Sequence, residues 1–226
     1  MKKKIDFSVA GKMATLYLAN EEVSPLIVLN NYSGDGSSVV KAMKDIGCVD
    51  CSILSVGNLK WDHDMTPWYC PPLSKNDTPC TGGADDYLKV LLDDILPKTL
   101  AHLPGTPSFT GIAGYSLAGL FALYAMYHTN RFSRVASMSG SLWYPDFREY
   151  AVSHKIGRMP DRLYMSLGDR EARVGNPVIR TVQDNTEYLA GYYREKGIET
   201  VFELNEGNHF KDAALRSAKG IAAILR

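Results

Sequence analysis

Short apolar runs separated by stretches of helical period make up most of the chain, after an opening with a period of two. Ile5 to Val9 and Met13 to Ala19 alternate around Ala10-Gly11-Lys12, the pattern of two strands joined by a hairpin turn. Leu26-Ile27-Val28-Leu29 is continuously apolar, as expected of a central strand covered on both faces. Beyond it the pattern becomes strand followed by helix. Ser37 to Ile46 is a predicted helix, opened by Ser caps and closed by Gly47, with a strand over Cys51 to Val56 behind it.

Residues 57–83 carry no period and are rich in Pro, Asp, Trp and Tyr, so they read as a long functional or mobile loop. Asp85 to Leu96 is amphipathic, with Leu88, Leu91, Leu92 and Ile95 on one side and Pro97 at its end. Phe109 to Ala113, Val135 to Met138, Leu163 to Leu167 and Val201 to Leu204 are further predicted strands. Leu117 to His128, Val178 to Lys196 and Asp212 to Leu225 are further predicted helices. The alternation predicts an α/β fold: a mostly parallel sheet flanked by helices on both faces, with an antiparallel N-terminal hairpin. The length of 226 residues, with no repeat and no break in composition, fits a single domain over 1–226.

Such folds place their chemistry at the carboxyl ends of the strands. Gly114-Tyr115-Ser116-Leu117-Ala118-Gly119 lies between a predicted strand and a predicted helix. A nucleophilic serine on so sharp a turn needs small neighbours, and Gly114, Ala118 and Gly119 meet that need. Ser116 is the expected nucleophile, and the N–H of Leu117 one donor to an oxyanion. Of the five histidines, His209 directly follows the last strand and comes after the nucleophile in chain order, which suits a general base. His102 and His128 sit at helix ends, His154 looks exposed, and His63 stands in the long loop where it could reach a substrate. The acid that orients the base is expected after Leu167, where Gly168-Asp169-Arg170-Glu171 offers two carboxylates; Glu171 is preferred to Asp169. The second oxyanion donor is expected after Leu29, in Asn30-Asn31-Tyr32, with the Tyr32 N–H as the candidate. Trp143, Trp68 and Tyr115 are the candidates to face the substrate, the alternative for the loop tryptophans being to pin a loop to its own domain.

Lys plus Arg equals Asp plus Glu at 25 each, which gives no electrostatic reason to expect nucleic acid or an acidic membrane as partner. No segment approaches the apolar length that spans a bilayer, and the basic start lacks an apolar stretch behind it, so a cytoplasmic protein is expected. Cys48, Cys51, Cys70 and Cys80 do not complete a zinc set, and a structural reading of these thiols is preferred. A Cys70–Cys80 disulfide is expected only for an exported protein. Gly34-Asp35-Gly36 lacks the Lys and the spacing of a phosphate loop. No metal or organic cofactor is implied.

From Ile112 to Phe147, Gly-Tyr-Ser-Leu-Ala-Gly followed by Ser-Gly-Ser-Leu-Trp resembles esterases related to esterase D and to enterobactin-type siderophore esterases. Gly168-Asp169-Arg170-Glu171 and Gly207-Asn208-His209-Phe210 resemble the acid and base segments of the same α/β-hydrolase family. The resemblance implies a serine esterase acting on a small-molecule ester, with Glu171 in the acid position. It also implies a His-Gly pair before the second oxyanion donor, where this chain has Asn30-Asn31. The wider family includes acyltransferases, and a silent binding domain on the same scaffold is the alternative of a different class.

Overall fold

The structure is a computed structural model and describes residues 3–226. The strands are β1 (Lys4–Val9), β2 (Lys12–Tyr17), β3 (Leu26–Asn30), β4 (Ser52–Gly57), β5 (Tyr69–Cys70), β6 (Cys80–Thr81), β7 (Thr110–Tyr115), β8 (Arg134–Met138), β9 (Arg162–Gly168) and β10 (Glu199–Asn205). The helices are α1 (Ser37–Asp45), α2 (Trp61–Asp64), α3 (Ala84–Val90), α4 (Leu96–Leu100), α5 (Leu117–His128), α6 (Phe147–Ser153), α7 (Val182–Glu195) and α8 (Ala213–Leu225). The main sheet runs β1-β2-β4-β3-β7-β8-β9-β10. β1 pairs antiparallel with β2, and β2 with β4; every other neighbour in that sheet is parallel. The expected parallel sheet with its antiparallel hairpin is what the chain forms.

Two apolar layers cover the sheet. Alternate residues of each strand point to opposite faces, so Ile27, Leu29 and Ile53 meet Val39 and Met43 of α1 and Ile221 and Ile224 of α8. Leu26, Val28 and Leu54 face the other way, toward Tyr87, Phe121, Leu189 and Tyr193. α5 is apolar all round because it is enclosed all round: every residue from Leu117 to Tyr127 is buried.

Several local expectations are corrected. The hairpin turn is Ala10-Gly11 alone, both with positive φ (50° and 73°), the two-residue geometry that matches strand twist. Lys12 opens β2 instead, buried in an ion pair with Asp64. The serines do not cap α1; Gly36 is the cap residue, and Asp35 Oδ1 accepts the Ser37 N–H at 3.0 Å. Gly47 does close α1: its φ of 65° lets its own N–H reach Lys44 O and that of Cys48 reach Met43 O. Pro97 does not end its helix. The turn Leu91–Ile95 widens to π geometry and α4 continues through the proline, whose missing N–H then costs no bond of a regular ladder. The loop over 57–83 contains α2 and the small antiparallel pair β5–β6, too short to show a period. α6 was not foreseen.

Candidate active site

Ser116 sits between β7 and α5 with φ 61° and ψ −125°, a strained backbone for a residue with a side chain. Surrounding contacts impose that shape. The Ser116 N–H donates to Met138 O of β8, while its carbonyl accepts from Gly119, Leu120 and Ser141. Gly114 makes the bend sterically feasible: a Cβ there would lie 2.1 Å from Ala118 O. The same absent Cβ leaves room for the methyl of Ala118. Leu117 is the first residue of α5, so its N–H has no partner within the helix and lies where the helix dipole is positive.

His209 follows β10 and reaches Ser116: its Nε2 is 3.0 Å from Ser116 Oγ. Its Nδ1 is 2.7 Å from Oε2 of Glu171, which is 4% exposed and so almost wholly withdrawn from water. The other carboxylate oxygen is saturated. Glu171 Oε1 accepts from the Ser139 hydroxyl at 2.7 Å, the Gly168 N–H at 2.7 Å and Arg216 Nη1 at 3.0 Å. Burial alone would raise the Glu171 pKa. The hydrogen bond and charge of His209, with the Ser139 hydroxyl and the Gly168 amide, outweigh it and hold the group below its ordinary value. Gly168 is again a close approach, since a Cβ would meet Gly207 O at 2.3 Å and the Arg216 guanidinium.

Asp169, the competing carboxylate, stands elsewhere. Its Oδ1 accepts the Gly207 N–H at 2.7 Å, while the Asp169 and Arg170 amides donate to Asn205 O and Gly207 O. It zips the β9 loop to the loop that carries His209. Tyr115 supports the same loop: its hydroxyl donates to His209 O at 2.8 Å and accepts from Arg216. Tyr115 is therefore behind the histidine rather than in the pocket.

A cavity of about 620 Å³ opens over Ser116, Leu117, Ser141, Glu171 and His209. Trp143, Trp61, Leu73, Val174 and Ile179 form much of its apolar wall, with Asp62, Asp77 and Arg170 as charged members. Trp143 lines this cavity. Trp68 does not: its Nε1 donates to Pro145 O at 3.0 Å and its ring packs on Tyr144, Phe147 and Tyr150, which pins one loop to another. The Tyr32 ring is exposed and packs edge-on to Trp61 at 5.1 Å, outside the cavity lining. His63 also lies outside that lining, its Nδ1 2.7 Å from Thr81 Oγ1 and its imidazole against Gly83. Among the described residues, no three His, Cys, Asp or Glu side chains stand together as metal ligands, and no helix is long and apolar enough to cross a membrane.

Sequence reasoning missed Arg216, Ser139 and Ser141. Arg216 is 2% exposed and donates to Glu171, Ser139, Tyr115 and Glu206 O. A signal existed, because it shares the buried face of α8 with Gly220 and Ile224. An arginine on such a face needs a buried partner. Ser141 Oγ lies 3.4 Å from Ser116 Oγ, and no pattern in the sequence distinguishes it from the serines beside it.

The Esterase family model, described as "Putative esterase", matches residues 42–209. An uncharacterised protein of Bacillus subtilis (strain 168), YbbA, is 28% identical over 137 residues, covering 59% of this chain and 55% of that protein. The iron(III) enterobactin esterase of Dickeya dadantii (strain 3937) is 42% identical over 59 residues, 25% of this chain and 14% of its own. The chain thus spans about half the first of these relatives and a small part of the second. Among solved structures, the siderophore hydrolase EstA from Aspergillus nidulans superposes with a TM-score of 0.76 at 18% identity, covering 97% of this chain and 93% of that one. That likeness establishes a shared α/β-hydrolase fold.

Proposed function

This chain belongs to the Esterase family, and on that premise we propose that it is a serine hydrolase cleaving a small-molecule carboxylic ester through an acyl-enzyme. One observation carries the reading: the unbroken line Ser116 Oγ, His209 Nε2, His209 Nδ1, Glu171 Oε2, with steps of 3.0 Å and 2.7 Å, at the cavity floor.

Ser116 Oγ attacks the ester carbonyl as His209 Nε2 takes its proton. Glu171 receives the Nδ1–H, which fixes the tautomer that leaves Nε2 free to accept, and its charge stabilises the imidazolium. The carbonyl oxygen becomes an oxyanion held by the Leu117 N–H and, as second donor, the Tyr32 N–H after β3. The intermediate collapses, His209 returns the proton to the departing alcohol, and an acyl group stays on Ser116. Water attacks next by the reverse proton route and releases the acid. The apolar wall around Trp143 suits an aromatic or branched group beside the ester. The relatives named for enterobactin and siderophore hydrolysis support an ester of that multifunctional kind.

The test is a panel of p-nitrophenyl esters and catecholate or hydroxamate esters, with Ser116→Ala as control and product partition measured between water and added alcohol. Hydrolysis that vanishes in Ser116→Ala is expected. No turnover above Ser116→Ala on any member would overturn the reading, and acyl transfer outpacing hydrolysis would reassign it to a transferase.

A further inference from the structure

The β5–β6 pair is an anomaly as secondary structure: two strands of two residues each, with Cys70 directly opposite Cys80. Directly opposed side chains emerge on the same face of an antiparallel pair. Their Cα atoms are then about 4.5–5.5 Å apart, inside the roughly 4.4–6.8 Å that a disulfide spans. Both residues are thiols here, 1% and 8% exposed, and both line the cavity over Ser116. They are close enough for the charge of one thiolate to raise the pKa of the other.

Between them runs a strap, residues 71–79, whose Leu73, Asn76, Asp77 and Thr78 form part of the cavity wall. Two side-chain bonds hold it down: Asn176 Nδ2 to Leu73 O at 2.9 Å, and Thr78 Oγ1 to Asp62 Oδ2 at 2.6 Å. The strap is otherwise largely exposed, Lys75 included. A bond between Cys70 and Cys80 would join its two ends and close it into a ring.

We propose that Cys70 and Cys80 form a two-thiol exchange site in the pocket wall, which closes to a cross-strand disulfide by reaction with a small-molecule disulfide of the glutathione type. The thiolate of one cysteine attacks the external disulfide, whose S–S bond breaks and releases one small thiolate. The second cysteine, deprotonated in turn, attacks the protein sulfur of that mixed disulfide and expels the second small thiolate. The two protein thiols lose two electrons and two protons; the external disulfide is reduced to two thiols. The proposal does not depend on the role of Ser116.

The test equilibrates the full chain with oxidised and reduced glutathione over a range of ratios, in mildly alkaline buffer because burial raises both thiols, Cys80 to about 11. Samples are quenched in acid, alkylated, unfolded and cut with trypsin. Cleavage after Lys60, Lys75 and Lys89 puts the two cysteines on separate peptides, 61–75 and 76–89, and both Cys48 and Cys51 on a third. The expected result is peptides 61–75 and 76–89 joined and lighter by two hydrogens, lost in Cys70→Ser and in Cys80→Ser and kept in Cys48→Ser. The native fold should close the pair at an oxidised-to-reduced ratio about 10-fold lower than denatured chain requires, because the register raises the effective concentration of one thiol at the other. Recovery of both peptides as alkylated thiols or stable glutathione adducts would overturn the proposal. So would closure that needs the same ratio in denatured chain.

Discussion

Replacing Arg216 with Leu removes a buried cation without touching Ser116 or His209. The guanidinium is 2% exposed, and the side chain of its partner Glu171 is 3% exposed. Two unit charges a few ångströms apart attract by about 4 kcal/mol even at an effective dielectric near 20. Breaking one side of a buried pair costs about 3–5 kcal/mol, since the remaining charge stays desolvated. The Ser139 and Tyr115 hydroxyls and Glu206 O each lose a donor as well. For a chain of this length 1 kcal/mol lowers Tm by roughly 2–4 °C, so Arg216→Leu should melt roughly 6–20 °C early. Differential scanning calorimetry at neutral pH measures it. Arg216→Lys, which restores the charge without the fork, should fall between the two. Arg216→Met combined with Glu171→Met should melt above Arg216→Leu, because no unpaired charge remains. A single Arg216→Leu variant melting within about 2 °C of wild type would refute the reasoning.

Glu171→Gln can present an N–H to His209 Nδ1, which forces the wrong tautomer; kcat should fall by about 10⁴ with little change in KM, read by steady-state hydrolysis. Glu171 also sets an acid limit on stability. Its native pKa is depressed, so its contribution is complete above the unfolded value of about 4.3 and is lost as pH falls through the native one. Unfolding free energy measured below about pH 4.3 should therefore fall more steeply with acid in wild type than in Glu171→Gln. Gly114→Ala places a methyl 2.1 Å from Ala118 O, backbone that cannot yield without distorting the elbow. Denaturant titration should show a loss of at least about 1–3 kcal/mol, with loss of activity. Trp143→Ala removes pocket wall without touching the hydrogen-bonded line, so KM for bulky esters should rise about 10-fold while kcat stays within a few-fold.

Strands and helices were legible where one face or the whole element is buried. Leu26 to Leu29 and Leu117 to Tyr127 show their burial in composition alone, and Gly47 marks its helix end because only a left-handed residue closes it there. Ser116 and His209 were legible by position, at strand ends in the order this fold imposes, and the structure brings them within 3.0 Å. The choice between Asp169 and Glu171 was a preference, because two residues of loop decide which carboxylate turns inward and no periodicity governs that. Trp68 and Tyr115 failed as pocket residues for a related reason. An aromatic in a loop or at a strand end shows its size in sequence, but its hydrogen bond to Pro145 O or to His209 O decides its direction. The Pro97 helix misled because a π turn upstream absorbs the proline, an adjustment with no residue code of its own.

The central claim is that Ser116 is the nucleophile on which the acyl group is held. The direct measurement is intact-protein mass spectrometry after reaction with a fluorophosphonate, followed by peptide mapping. One equivalent of label on Ser116 is predicted, with none on Ser116→Ala and strongly slowed labelling of His209→Ala. Label on another residue, or an unlabelled wild-type protein whose ester hydrolysis survives in Ser116→Ala, would contradict the account.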